Sequence, residues 1–246
     1  MYLSILLPSI FALYALYKKK LTLPGLLLAW GLGIFITYYG GYYAFAALAT
    51  MFILTIASDK VKKNKNDKTR NVYQVISNIL TAGLCIMLYA ITGDYLFYMM
   101  YYAVVACSLG DTLASSIGVL SRKKPFNIFT FERIEKGASG GISMLGTFAS
   151  LVGGMVIGLI YVIDDYNLIT FAFISFFGVV GSFLDSIMGL TIQSQYRCVK
   201  CKKVVESRKH CKQKTKLFRG YSFVDNNLVN LLSNVIVLVL SYFIIR

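Results

Sequence analysis

The chain has 246 residues, 57% of them hydrophobic, and its 25 Lys and Arg against 11 Asp and Glu give a formal net charge of +14. Apolar runs of about 20 residues recur along the whole length, which excludes a water-soluble globule, since only helices and closed barrels satisfy the backbone in lipid. The runs do not alternate apolar and polar residues as barrel strands would. The fold class is therefore all-α, a polytopic membrane helical bundle forming one integral membrane domain over residues 1–246.

About eight transmembrane helices are expected, over 2–17, 21–39, 41–58, 72–92, 95–120, 140–162, 166–192 and 222–245. The first run lacks a basic leader and an A-x-A site, so it is expected to stay as a helix. The connectors divide by charge. Residues 18–20 hold 3 cations, 59–71 hold 6, 121–139 hold 5 and 193–221 hold 10, whereas GGYY, TGD and IDDYN hold none. The positive-inside rule then makes the four basic connectors cytoplasmic and puts both termini outside. This one-sided charge fits anionic lipid headgroups; no element presents itself to a nucleic-acid groove, so nucleic acid is excluded as a partner. The sequence admits a homo-oligomer.

That orientation gives each polar residue a depth. Arg70, Gln74 and Asn78 recur at i, i+4, i+8 on one helical face. SLGDTLASSIG puts Asp111, Thr112, Ser115 and Ser116 in the inner half of its span. GSFLDSIMGLTIQ does the same for Asp185, Ser186 and Gln193, and VDNNLVN for Asp225, Asn226 and Asn230. Asp59 ends its span on the same side. Intramembrane carboxylates are expensive and mark function by default. Collected at one level, these groups predict a cytosol-facing site rather than scattered interhelical hydrogen bonds. Two carboxylates with neighbouring hydroxyls on different helices make oxygen-rich ligation suited to Mg²⁺.

Two loops add chemistry. In SRKKPFNIFTFERIEKGASGGISMLG, the cations Lys123, Lys124 and Lys136 accompany Gly137, Ser139, Gly140 and Gly141, with a helix expected directly after them. Backbone approach and a helix N-terminus make this a candidate phosphate cradle. The loop 193–221 carries Cys198, Cys201, His210 and Cys211, four candidate Zn²⁺ ligands of a small structural knuckle. Four ligands would leave no open position for catalysis. His210 is the only histidine.

Six blocks in order, TRNVYQVISN, SLGDTLASSIG, KPFNIFTFERIEKGASGGISMLG, GSFLDSIMGLTIQ, YRCVKC…HC and VDNNLVN, resemble the family of transmembrane protein 19 and phytyl-phosphate kinase. They span about residues 59–234. That family is distantly similar to CTP-using polyprenol and phytol kinases. Asp111, Thr112, Asp185, Gly137, Gly140, Gly141 and Asn226 match its polar and glycine positions; where its pattern has Glu, this chain has Ser116.

The resemblance implies an isoprenoid lipid kinase, using CTP or ATP on an isoprenyl monophosphate or isoprenoid alcohol. Asp111 and Asp185 would hold Mg²⁺, and Lys123, Lys124 and Lys136 the donor phosphates. Arg70 would grip an acceptor phosphate, while Asp59 or Asp225 would serve as base for a hydroxyl. The rivals are an ion-coupled transporter, in which the two Asp motifs mark repeats, and a lipid-binding scaffold.

Overall fold

The computed structural model describes residues 2–61 and 69–246. Four of the six cations expected in the connector 59–71, Lys62, Lys63, Lys65 and Lys68, lie outside the described residues. Seven helices form the body: α1 (Tyr2–Tyr17), α2 (Leu23–Val61), α3 (Val72–Thr92), α4 (Tyr95–Gly118), α5 (Met144–Asp165), α6 (Leu168–Thr191) and α7 (Asn226–Ile245). Six of these, α2 to α7, are long and apolar enough to cross a membrane. Side chains such as Leu13, Phe148, Ile163, Phe176 and Phe243 are exposed on their outer surfaces, as lipid-facing positions require.

α2 holds the second and third expected spans as two helices that meet at a kink at Gly41. A straight helix of its 39 residues would run about 58 Å, twice a hydrocarbon core. It does not run straight: Gly41 has φ 80° and ψ −177°, a conformation that only glycine adopts readily. Both ends of α2 consequently meet Arg70. The Thr22 N–H donates to the Arg70 carbonyl (2.9 Å), and the Arg70 guanidinium pairs with Asp59 (2.7 Å). The element is thus a hairpin whose arms, 23–40 and 42–61, measure roughly 27 and 30 Å.

α4 is the central helix. From Tyr98 to Gly110 all but Met99 are buried, and it packs against α2, α3, α5, α6 and α7. Glycines set the closest crossings. A Cβ on Gly110 would lie 2.2 Å from the Gly178 carbonyl oxygen, and one on Gly154 would lie 2.5 Å from that of Ser175. Small residues thereby let α4, α5 and α6 touch backbone to backbone, which is how helices associate in lipid.

The polar tie across the bundle comes from amides. The Asn234 side chain donates to the Ser77 carbonyl and to Ser108 Oγ, both at 2.9 Å, and Ser108 Oγ donates to the Asn78 carbonyl (3.1 Å). These bonds join α7, α3 and α4.

Two connectors carry short strands. Phe126–Asn127 (β1) pairs antiparallel with Gly141–Ile142 (β2). The glycine loop therefore closes a hairpin before a helix begins: α5 starts at Met144, capped by Ser143, rather than at residue 140. In the loop 193–221, β3 (Gln195–Arg197) lies between β4 (Val204–Val205) and β7 (Lys216–Arg219), and β5 (Lys209–His210) pairs with β6 (Gln213–Lys214). Both connectors, the two ends of α2 and the start of α7 sit at one end of the bundle. Tyr2 and Arg246 sit at the other.

Candidate active site

At that end lies a cavity of about 390 Å³. Its walls come from the C-terminal turns of α4 and α6, the starts of α3, α5 and α7, and both structured connectors. Asp111 is seven residues before the end of α4 and Asp185 six before the end of α6, so the carboxylates lie about 10 Å below the helix ends. Both line the cavity, as do Ser115, Ser186 and Gln193. With its amide oriented so that each atom meets a complementary partner, Asn230 donates to Asp185 Oδ2 (3.0 Å) and to the Asn226 carbonyl (2.9 Å). α7 thus fixes the Asp185 carboxylate from behind while Asn226 and Asn227 reach the cavity.

The glycine loop forms the roof. Lys136, Gly137, Ser139, Gly140 and Gly141 all line the cavity. Gly140, at φ +80°, presses on α6: a Cβ there would be 2.3 Å from Leu190 Cγ and 2.7 Å from the Ser186 carbonyl oxygen. Lys136 Nζ donates to the Ser121 carbonyl, which ties the loop back to the end of α4. Ser139 Oγ donates to the Glu206 carboxylate from the Cys/His loop, and Glu206 also lines the cavity. Among the described residues, the titratable lining is three carboxylates, Asp111, Asp185 and Glu206, and one lysine, Lys136. The side-chain NH₂ of Gln193 is buried there without a hydrogen-bond partner among the described residues.

Other expected residues fall elsewhere. Lys123 and Lys124 are exposed on the connector and do not line the cavity. Asp225 is the N-cap of α7, accepting from the Leu228 N–H (3.0 Å). Asp59 is paired with Arg70. Arg70, Asn78 and Thr112 line a neighbouring void of about 40 Å³, which shares Gln74 with the main cavity. Thr112 Oγ1 donates to the Ser108 carbonyl (2.9 Å).

That void has apolar neighbours. It shares Leu21, Ala29, Phe52 and Ile79 with a second void of about 50 Å³. The second shares Ala12, Leu26 and Trp30 with a groove of about 250 Å³ between α1 and α2. Neighbouring voids that share lining residues therefore lie between the polar cavity and an apolar groove at the bundle's surface.

Two polar residues, Glu206 of the cavity and Asn234 of the interhelical tie, were not singled out from the sequence. Glu206 sits in a basic loop and no local pattern marks it. Asn234 had a signal, since Asn226, Asn230 and Asn234 repeat the i, i+4, i+8 spacing read in α3.

The Cys/His loop brings its four ligands together: Cys198, Cys201, His210 and Cys211 offer ligand atoms within 4.8 Å of one another. Hydrogen bonds from the Cys201 backbone, and then from the His210 side chain, hold the Cys198 thiol down at about 6. The Cys211 thiol is pushed up, foremost by its hydrogen bond with Cys201.

Apolar helices with lipid-facing surfaces and a polar cavity at one end define a polytopic α-helical integral membrane protein. The chain belongs to the family described as integral membrane protein DUF92, which matches residues 6–238. It is 30% identical to an uncharacterized membrane protein of Methanocaldococcus jannaschii over 77% of this chain and 82% of that one. It is 28% identical to Protein PGR of Arabidopsis thaliana over 94% of this chain and 91% of that one. An uncharacterized membrane protein of Synechocystis is 26% identical over 75% of this chain and 77% of its own. No solved structure matches.

Proposed function

We propose that the protein transfers the terminal phosphoryl group of CTP or ATP to an isoprenyl monophosphate at the cytosolic face of the membrane, as the resemblance to phytyl-phosphate kinase implies. The observation that carries this reading is the convergence of Asp111 and Asp185, from different helices, on one polar cavity roofed by the glycine loop. The orientation rests on the positive-inside rule.

The donor set fits Mg²⁺, a hard cation held by one or two carboxylates and otherwise by water and phosphate oxygens. Asp111 and Asp185 would hold it, and a cavity of about 390 Å³ has room for those other ligands. When bound, the ion neutralises charge on the donor phosphates.

The protein's own groups position and neutralise, which is most of what phosphoryl transfer asks of an enzyme. Lys136 offers a cation to phosphate oxygens. The glycines let the roof approach the anion closely. An acceptor oxygen attacks the terminal phosphorus, its bond to the leaving diphosphate breaks, and no proton needs removing if the acceptor is already a phosphate monoester anion. That favours a monophosphate over an alcohol, since Asp59 and Asp225 are held in an ion pair and a helix cap. The apolar groove of about 250 Å³ between α1 and α2 would take the isoprenoid tail.

Cation-coupled transport is the second reading, favoured by the same acidic lining. Against it stands the packing on the far side of Asp111. There Tyr98, Tyr101, Tyr102 and Tyr161 are buried in the half of the bundle away from the cavity, and the Tyr101 hydroxyl donates to the Ala44 carbonyl (2.6 Å).

The test is a transfer assay on purified protein in detergent, with γ-labelled CTP or ATP, Mg²⁺ and a panel of isoprenyl monophosphates and isoprenols. Label should enter a lipid product and vanish in Asp111→Asn and Asp185→Asn. No transfer to any acceptor by folded protein, or full activity in both variants, would overturn the proposal.

A further inference from the structure

We infer that Cys198, Cys201, His210 and Cys211 bind one Zn²⁺, and that this ion holds the wall of the cavity that carries Glu206. The inference stands whether or not the cavity transfers phosphoryl groups.

The spacing fits the metal. Tetrahedral zinc with ordinary Zn–S and Zn–N bonds places S···N pairs at about 3.6 Å and S···S pairs at about 3.8 Å. Here His210 Nδ1 is 3.4 Å from Cys201 Sγ and 3.2 Å from Cys211 Sγ, and all four ligand atoms fall within 4.8 Å of one another. Three sulfurs and one imidazole are a soft, closed set suited to structural zinc and unsuited to Mg²⁺. Three thiolates would leave the bound ion with a net negative charge, which the loop's ten Lys and Arg offset.

The backbone supplies an independent observation. His210 ends β5, and in a strand consecutive side chains point to opposite faces, so neighbouring His and Cys could not share one ion. At Cys211 the chain turns left-handed, with φ 51°, and Lys212 follows at 61°. Neither residue is glycine. Left-handed backbone at such residues costs energy and persists where the surroundings demand it. Its effect here is to swing Cys211 Sγ to the same side as His210. The other ligand pair has a matching turn, with Lys202 at φ 61° and Lys202 N–H donating to the Cys198 carbonyl (3.0 Å). Two ligand pairs, each on its own tight turn, face one point.

Glu206 lies between these pairs in sequence, directly after β4 (Val204–Val205), and accepts from Ser139 of the glycine roof. A loop this small and polar has little apolar core of its own, so metal binding would supply the energy that keeps it folded. The zinc therefore acts on the cavity through position: it fixes the strand end that brings Glu206 to the roof.

The experiment measures zinc by mass spectrometry of protein purified in detergent through a tag free of histidine. The wild type should carry one zinc per chain, and Cys201→Ser, Cys211→Ser and the double variant should lose it. Cys85→Ala, in α3, should keep it. If the loop variants fail to fold, thiol titration of the wild type decides: the three loop cysteines should resist a thiol reagent until a strong chelator is added, and then react together. Zinc absent from reduced wild-type protein, zinc retained in the double variant, or loop thiols equally reactive before chelation would each overturn the inference.

Discussion

Gly137 and Gly140 offer a matched pair for testing whether the roof is held by its packing on α6. Both have left-handed backbone, φ +82° and +80°, but a Cβ on Gly137 meets nothing within 4 Å, whereas one on Gly140 runs into Leu190 and the Ser186 carbonyl. An alanine in this backbone region costs about 1–2 kcal/mol at either position. At Gly140 the clash adds about 1–3 kcal/mol, because a helix carbonyl cannot step aside as a flexible side-chain tip can. The difference between Gly140→Ala and Gly137→Ala should therefore be about 1–3 kcal/mol, or roughly 5- to 150-fold in the population of opened loop. Trypsin reads that population at the loop's exposed basic residues, including Arg122, Lys123 and Arg133, when opening is fast relative to cleavage. Gly140→Ala should be cut faster than Gly137→Ala by that factor, with both proteins intact elsewhere. Equal cleavage rates would refute the packing argument, whatever the effect on activity.

Three further outcomes are expected. Asn234→Ala removes two interhelical bonds at about 0.6 kcal/mol each, rising to about 1.7 in favourable cases, so thermal stability in detergent should fall by about 1–3 kcal/mol. Arg70→Gln breaks a half-exposed ion pair with Asp59, which should cost less than about 1 kcal/mol of stability yet raise the KM for an isoprenyl phosphate acceptor while leaving that for nucleotide unchanged. Tyr98→Phe, at the opposite end of the bundle, deprives Asp164 of a 2.6 Å donor and should cost about 1.5–3 kcal/mol. Transfer per folded molecule should not change.

The contrast between what was legible in the chain and what was not follows from range. Helix type and the clustering of Asp111, Asp185, Asn226 and Asn230 at one end were readable because lipid imposes them locally: a run of apolar residues must be a helix there, and a charge within it is costly enough to stand out. The break at Gly41 and the return of both arms to one side were readable from the GGYY connector and the basic loops, but that Thr22 and Asp59 both meet Arg70 was not. Tertiary structure alone decided that Lys123 and Lys124 lie off the cavity while Lys136 lines it, that Asp59 is committed to Arg70, and that Glu206 reaches the roof through the Cys/His loop. Those are distances between elements far apart in the chain. Periodicity carries no information about such distances, because they depend on how closely glycines such as Gly110, Gly154 and Gly178 allow three backbones to approach.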